Sequence, residues 1–266
     1  MPFRIALSGL NAASAGLSTT ASNIANAGTT GFRQSRAEFS ALYANTGQAG
    51  GAIGSGVRVS RNAQQQTQGT LQFTDNALDT AISGEGYFVL SDNGSRYYTR
   101  AGEFGVDADG YVVSPQGGRL QAYPVGSNGQ FNTSTPTDLR LATGRVTRVS
   151  VDQSGVVTAY YSDGQTTQVG KVAIARFTNP QGLQPVGDNA LAESSESGPA
   201  ALGEAGTASF GLIQTGALES SNVDLPEQLV NMIRFSRQFE SQASVIRTAS
   251  ETAETVTEMI GRRRPE

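Results

Sequence analysis

Apolar positions recur along this chain with two different periods. At the N-terminal end, Phe3, Leu7, Leu10, Ser14, Leu17, Ala21 and Ile24 alternate by fours and threes, the 3.5-residue spacing of a coiled-coil seam. At the C-terminal end, Leu225, Leu229, Met232, Ser236, Phe239, Ala243, Ile246, Ser250, Ala253, Thr257 and Ile260 keep the same spacing. Pro2 suits a first turn, and Gly28 and Gly31 supply a stop. Asn222 or Asp224 is the candidate N-cap of the second helix, Pro226 and Glu227 suit its first turn, and Gly261 ends it. The first helix is expected to run about 25 residues, roughly 37 Å, and the second on the order of 50 Å.

Serine, threonine and alanine recur on both seams, so each helix buries little apolar area and is marginal alone. The expectation is that both ends are poorly ordered in the free monomer and become ordered on assembly. The alternative is a helical hairpin packed on the chain's own β domain.

Between the helices the period changes. Residues 28–44 leave the first helix, and Phe39, Leu42 and Tyr43 fit one or two amphipathic turns. Residues 45–57 hold five glycines and almost nothing to bury, the composition of a flexible connector. Gly50, Gly51 and Gly54 are its candidate hinge. From about residue 70 to 177, short strands alternate with turns. Asn93-Gly94, Asp109-Gly110, Asn128-Gly129 and Asp163-Gly164 are tight-turn dipeptides that need positive φ. Ala81 to Ser83, Tyr87 to Leu90, Val146 to Val151, Val156 to Tyr161 and Val169 to Phe177 fit strands around them. Ser209 to Leu218 fits a last strand. The fold class read from this pattern is α+β: terminal helices forming a coiled-coil stem, with a central all-β domain. The divisions are 1–30 and 222–266 as the two halves of the stem, 31–75 as a linker region with the Gly-rich joint, 76–208 as the β domain, and 209–221 as a return linker.

Composition removes most catalytic chemistry. The 266 residues include no histidine and no cysteine, so the commonest general base, the commonest metal ligand and every thiolate are missing. Lys171 is the single lysine. Arginine carries the remaining positive charge, which suits fixed contacts between packed surfaces. The formal net charge of −4 suggests no nucleic-acid surface. No apolar run is long enough to span a bilayer, and no cleavable secretory signal is visible. Asp107-Ala108-Asp109-Gly110 lacks the later ligands of a calcium loop and reads as a hairpin turn. The glycines at 51–56 lack the Lys-Ser or Lys-Thr of a phosphate loop. Asp75 and Asp79 have nothing that places them in a cleft. Arg262-Arg263-Arg264 complements a helix C-terminus. No catalytic, cofactor or metal residue is assigned, and the chain reads as an assembly subunit rather than an enzyme.

Ser8-Gly9-Leu10-Asn11-Ala12, followed by Ser22-Asn23-Ile24-Ala25-Asn26-Ala27-Gly28-Thr29-Thr30-Gly31-Phe32-Arg33, resembles the N-terminal signature of the bacterial flagellar rod and hook proteins. Ile82 to Val89, Tyr98-Thr99-Arg100-Ala101-Gly102-Glu103-Phe104, and Gly216 to Asp224 with Glu227 to Ile233 resemble later signatures. Ala6 to Ala12, Arg36 to Phe39 and Leu120 to Val125 look more like hook members, whereas the length suits rod members. The resemblance implies a short hook subunit lacking the outer domain, a universal joint passing torque from motor to filament. The alternative it implies is a distal or proximal rod subunit, a drive shaft. It further implies export by the flagellar type III apparatus without signal cleavage, and a location in the extracellular hook or the periplasmic rod. The implied partners are further copies of the chain in a helical homopolymer, neighbouring rod, hook or hook–filament junction proteins, and the hook cap during assembly. Neither nucleic-acid binding nor membrane insertion is implied. Leu7, Leu10, Leu17, Ile24, Asn26, Phe32, Leu229, Met232, Phe239 and Ile246 are the candidate assembly residues.

Overall fold

A computed structural model describes residues 2–44, 53–92, 94–126, 128–141, 146–207 and 209–261. The chain divides into two units. The first comprises residues 1–27, 34–65 and 223–266; the second comprises 28–33 and 66–222.

The first unit contains helix α1 (Pro2–Ala25), strands β1 (Ser35–Ala44) and β2 (Ile53–Gln64), and the C-terminal helix α2 (Leu225–Gly261). Asp224 is the cap: its Oδ1 accepts from the Glu227 amide at 3.2 Å, and its carbonyl accepts from Gln228. Strands β1 and β2 form an antiparallel hairpin from Ser35↔Gln64 to Ala44↔Ile53, with bulges at Glu38/Phe39 and Leu42/Tyr43. Two expectations change here. Phe39, Leu42 and Tyr43 lie on a strand, because their backbone groups pair across the hairpin rather than along a helix. Residues 53–57 are also strand rather than free connector, with Gly54 opposite Tyr43 and Val57 opposite Ala41. Gly50 and Gly51 lie outside the described residues.

The second unit is antiparallel β structure. Its strands in chain order are β3 (Leu71–Phe73), β4 (Thr80–Ser83), β5 (Tyr87–Asp92), β6 (Ser95–Thr99), β7 (Gly105–Val106), β8 (Val112–Val113), β9 (Arg119–Pro124), β10 (Thr137–Asp138) and β11 (Val146–Val151). They continue with β12 (Val156–Tyr161), β13 (Thr166–Arg176), β14 (Gln184–Gly187), β15 (Ala190–Ala192), β16 (Ala201–Glu204), β17 (Leu212–Thr215) and β18 (Ala217–Glu219). The main sheet runs β11-β12-β13-β9-β5-β6-β15-β14. Strands β4 and β17 pair separately, as do β3 and β18. Residues 209–221, expected as a return linker, thus include two strands that close this unit.

Strands β5 and β13 explain where the core sits. Their near-continuous apolar runs are buried on both faces, and successive residues serve opposite sides. Phe88, Leu90, Val172 and Ile174 belong to one cluster; Tyr87, Val89, Ala173 and Ala175 belong to the other. The turn glycines act as their spacing implies: Gly94, Gly110, Gly129 and Gly164 all hold φ between 76° and 85°. Asp107 Oδ1 accepts from the amides of Asp109 and Tyr111, so this acidic pair is a hairpin turn.

Candidate assembly interface

The first unit buries very little of its own. Its fully buried apolar residues, among those described, are four alanines: Ala6, Ala12, Ala13 and Ala63. Most of the chain's large exposed apolar side chains are here too, including Phe3, Leu7, Phe39, Tyr43, Leu229, Val230, Ile233 and Met259. Among the described residues no buried cluster of large side chains supports these elements, whereas the second unit has two.

Helices α1 and α2 pack antiparallel through a seam of small residues. Gly9 faces Gln242, Gly16 faces the ring of Phe235, and buried Asn23 donates to Gln228 Oε1 at 3.1 Å. Each step of seven along α1 is matched by seven back along α2, the spacing of a heptad contact. The full α1 seam is Ala6, Gly9, Ala13, Gly16, Thr20 and Asn23, all buried.

The predicted α1 stripe lies one residue further round. Phe3 is 49% exposed and Leu7 42%. Ser14 and Ala21 are exposed, while Leu10, Leu17 and Ile24 are half-buried. Within the chain, then, the packed seam is the small-residue one. The reason is size: glycine and alanine let the backbones approach and leave room for Phe235. On α2 the packed face and the expected stripe coincide in part. Met232, Phe239 and Ile246 are half-buried on the inward side, but Leu229 is 51% exposed and its place is taken by buried Gln228.

Asn23 fastens the hairpin as well. Its Nδ2 donates to the Ser35 carbonyl and its Oδ1 accepts from the Ser35 amide, both at 2.8 Å. Nearer the helix start, Ser8 Oγ accepts from the Val57 amide at 3.1 Å. The half-buried Asn26 donates from Nδ2 to the Ser22 carbonyl at 2.9 Å, closing the last turn of α1.

In the second unit, one carboxylate gathers the segments through which the chain passes to and from the first. Glu219 Oε1 pairs with Arg33 at 2.8 Å and accepts from the Gly69 amide; its Oε2 pairs with Arg100 at 3.2 Å. All three side chains are almost fully buried. Arg33 also donates to the carbonyls of Gln66 and Thr67, and Arg100 to those of Ile82 and Gly84. Asn222 donates to the Thr67 carbonyl at 2.9 Å. Burial pulls the Arg33 guanidinium below its ordinary pKa, with Glu219 opposing the shift. Among the described residues the buried Nε atoms of Arg33 and Arg100 have no hydrogen-bond partner, and the two guanidinium groups share the one carboxylate of Glu219. Half-buried Phe32 adjoins this network. Gly31, at φ +69°, passes so close to Ala101 that a Cβ would fall 2.4 Å from its backbone nitrogen. Sequence reasoning placed Arg33, Arg100 and Glu219 in three signatures without linking them.

Among the described residues there is no group of acidic side chains able to hold a metal ion, and no helix is long and apolar enough to cross a membrane.

Three family models match in order along the chain. They are the flagella basal body rod protein over residues 3–33, the flagellar hook protein FlgE/F/G D1 domain over 81–159, and the flagellar basal body rod FlgEFG protein C-terminal over 214–259. The flagellar basal-body rod protein FlgG of Agrobacterium fabrum is 35% identical over 95% of this chain and 96% of its own. That of Bacillus subtilis is 32% identical over 92% and 93%. The flagellar hook protein FlgE of Escherichia coli is 26% identical over 96% of this chain and 99% of its own, in an alignment stretched to 403 positions. The chain belongs to the flagellar rod and hook protein family, whose members are structural components of the flagellum.

Proposed function

We propose that this chain is a rod subunit, polymerising with copies of itself into the tubular drive shaft of the flagellar basal body. The observation that carries the polymer reading is the first unit: among the described residues it exposes most of the chain's exposed large apolar side chains, and the only apolar side chains it fully buries are alanines. Such surface on a soluble chain marks a protein interface, and burying it is what makes these helices stable. In the polymer, α1 and α2 form the coiled-coil inner layer and the β unit the outer one. Leu7, Leu10, Leu17, Ile24 and Leu229 face neighbouring copies. Asn26 and Phe32 hold the end of the N-terminal segment, and Met232, Phe239 and Ile246 hold the helix pair.

Rod is favoured over hook by coextension with FlgG relatives, against an alignment to FlgE that must open wide gaps. Local structure supports the same choice. A hook must bend as it turns, and Gly50, Gly51 and Gly54 are its candidate hinge; of these, Gly54 is paired in a hairpin, an arrangement that suits a braced joint, while Gly50 and Gly51 lie outside the described residues. Its neighbours in the stack are other rod, hook or junction subunits. Export proceeds through the flagellar type III apparatus, a route that suits helices unable to fold early.

Electron microscopy of basal bodies from a strain lacking the gene tests this. A truncated or absent rod is the expected outcome. A complete rod without a hook would make this the hook subunit.

A further inference from the structure

We infer that the last three turns of α2 receive the large-residue stripe of α1 from a second copy of the chain, displaced along the helix axis. This rests on the polymer-subunit reading above and names the contact that extends it.

The register of the helix pair places Pro2 level with Ala249. Beyond that point every described α2 side chain, residues 250–259, is exposed. Yet the inward seam of α2 continues in step. Gln242, Ile246 and Ala249 are followed at the same three–four spacing by Ala253 and Val256. A heptad seam that keeps its period past its partner calls for more of the same kind of partner.

Size and charge say which face of α1 fits. Inside one chain, small residues on α1 receive large ones on α2. Toward the α2 end the seam narrows at Ala249 and Ala253 before Val256, so interdigitation at the two alanines needs large residues opposite. The unpaired α1 stripe supplies them in Phe3 and Leu7. Arg4, the one charge on α1, lies beside that stripe, and residues 248–261 carry Glu251, Glu254 and Glu258 with no base. None of these four groups has an ion-pair partner within the described chain.

The chain contains no cysteine, so introduced thiols report cleanly. Leu7→Cys and Val256→Cys are made in separate chains, copolymerised and mildly oxidised. Within one chain Leu7 lies level with Ser244, which leaves Val256 about 18 Å away along the axis, far beyond disulfide reach. The expected result is a mixed disulfide dimer well above that given by Ser18→Cys, on the exposed α1 surface, with Val256→Cys. A polymer that forms but gives no such excess overturns the inference and leaves the subunit reading standing. A parent chain that forms no polymer overturns the subunit reading itself. Should only the cysteine chains fail to polymerise, charge exchange decides. Arg4→Glu and Glu254→Arg should each reduce polymer yield and together restore it; no restoration overturns the inference.

Discussion

Gly16 of α1 lies against the ring of Phe235 of α2, and a methyl group at Gly16 would come within 2.5 Å of Phe235 Cε1. Two effects oppose each other in Gly16→Ala. Helix propensity gains about 1 kcal/mol, while overpacking costs about 1–3 kcal/mol. The ring must move, and it also packs against the ring of Phe39, with centroids 6.4 Å apart, so the clash is expected to win. The polymer of the variant is expected to melt at lower temperature by calorimetry, and Phe235→Leu in the same chain to recover most of the loss.

Asn23 joins α1 to both β1 and α2 through three hydrogen bonds while buried. Asn23→Ala leaves the Ser35 amide and carbonyl without these partners, at a cost of about 1–3 kcal/mol. Asn23→Asp keeps the acceptor for Ser35 and loses both donated bonds. Both variants should depolymerise at lower denaturant than the parent, with the second unit's unfolding midpoint unchanged.

Glu219 compensates two buried guanidinium groups. Glu219→Gln preserves shape and removes the charge, leaving Arg33 and Arg100 uncompensated. Breaking a buried pair in this way costs about 3–5 kcal/mol. The urea midpoint of the free chain, followed by tyrosine fluorescence, is expected to fall sharply. A midpoint within error of the parent would remove this network from the account.

The phenols of Tyr87, Tyr98 and Tyr123 are all held above their ordinary pKa, in each case chiefly by burial. For Tyr98 the hydrogen bond it donates to Glu193 adds to the shift. The folded state therefore favours the neutral phenol. Its contribution is fully present below the unfolded value of about 10 and is lost as pH rises through the higher folded values. Denaturant midpoints should hold steady up to about pH 9 and fall above about pH 10, less steeply in Tyr98→Phe.

Much of this architecture is written locally in the sequence. The paired glycines at 94, 110, 129 and 164 mark turns because each needs positive φ, and both helices show in their heptads. The packed face of α1 was not legible. Two stripes one residue apart share the same period, and a search for large apolar side chains selects Phe3 and Leu7 over Gly9 and Gly16. Strand β1 was missed for a related reason: Phe39, Leu42 and Tyr43 fit a helical face, and only pairing with β2 decides between them. The union of Arg33 with Glu219 depends on closure of β18 on β3, which no local pattern encodes.

The most direct test compares hydrogen exchange in the free chain and in the polymer. The account predicts that amides of residues 3–25 and 225–259 exchange rapidly in the monomer, while those of β5 and β13 are protected. Protection should spread through both helices on polymerisation. Strong protection of α1 and α2 in the monomer would contradict the claim that these helices depend on neighbouring copies for their stability.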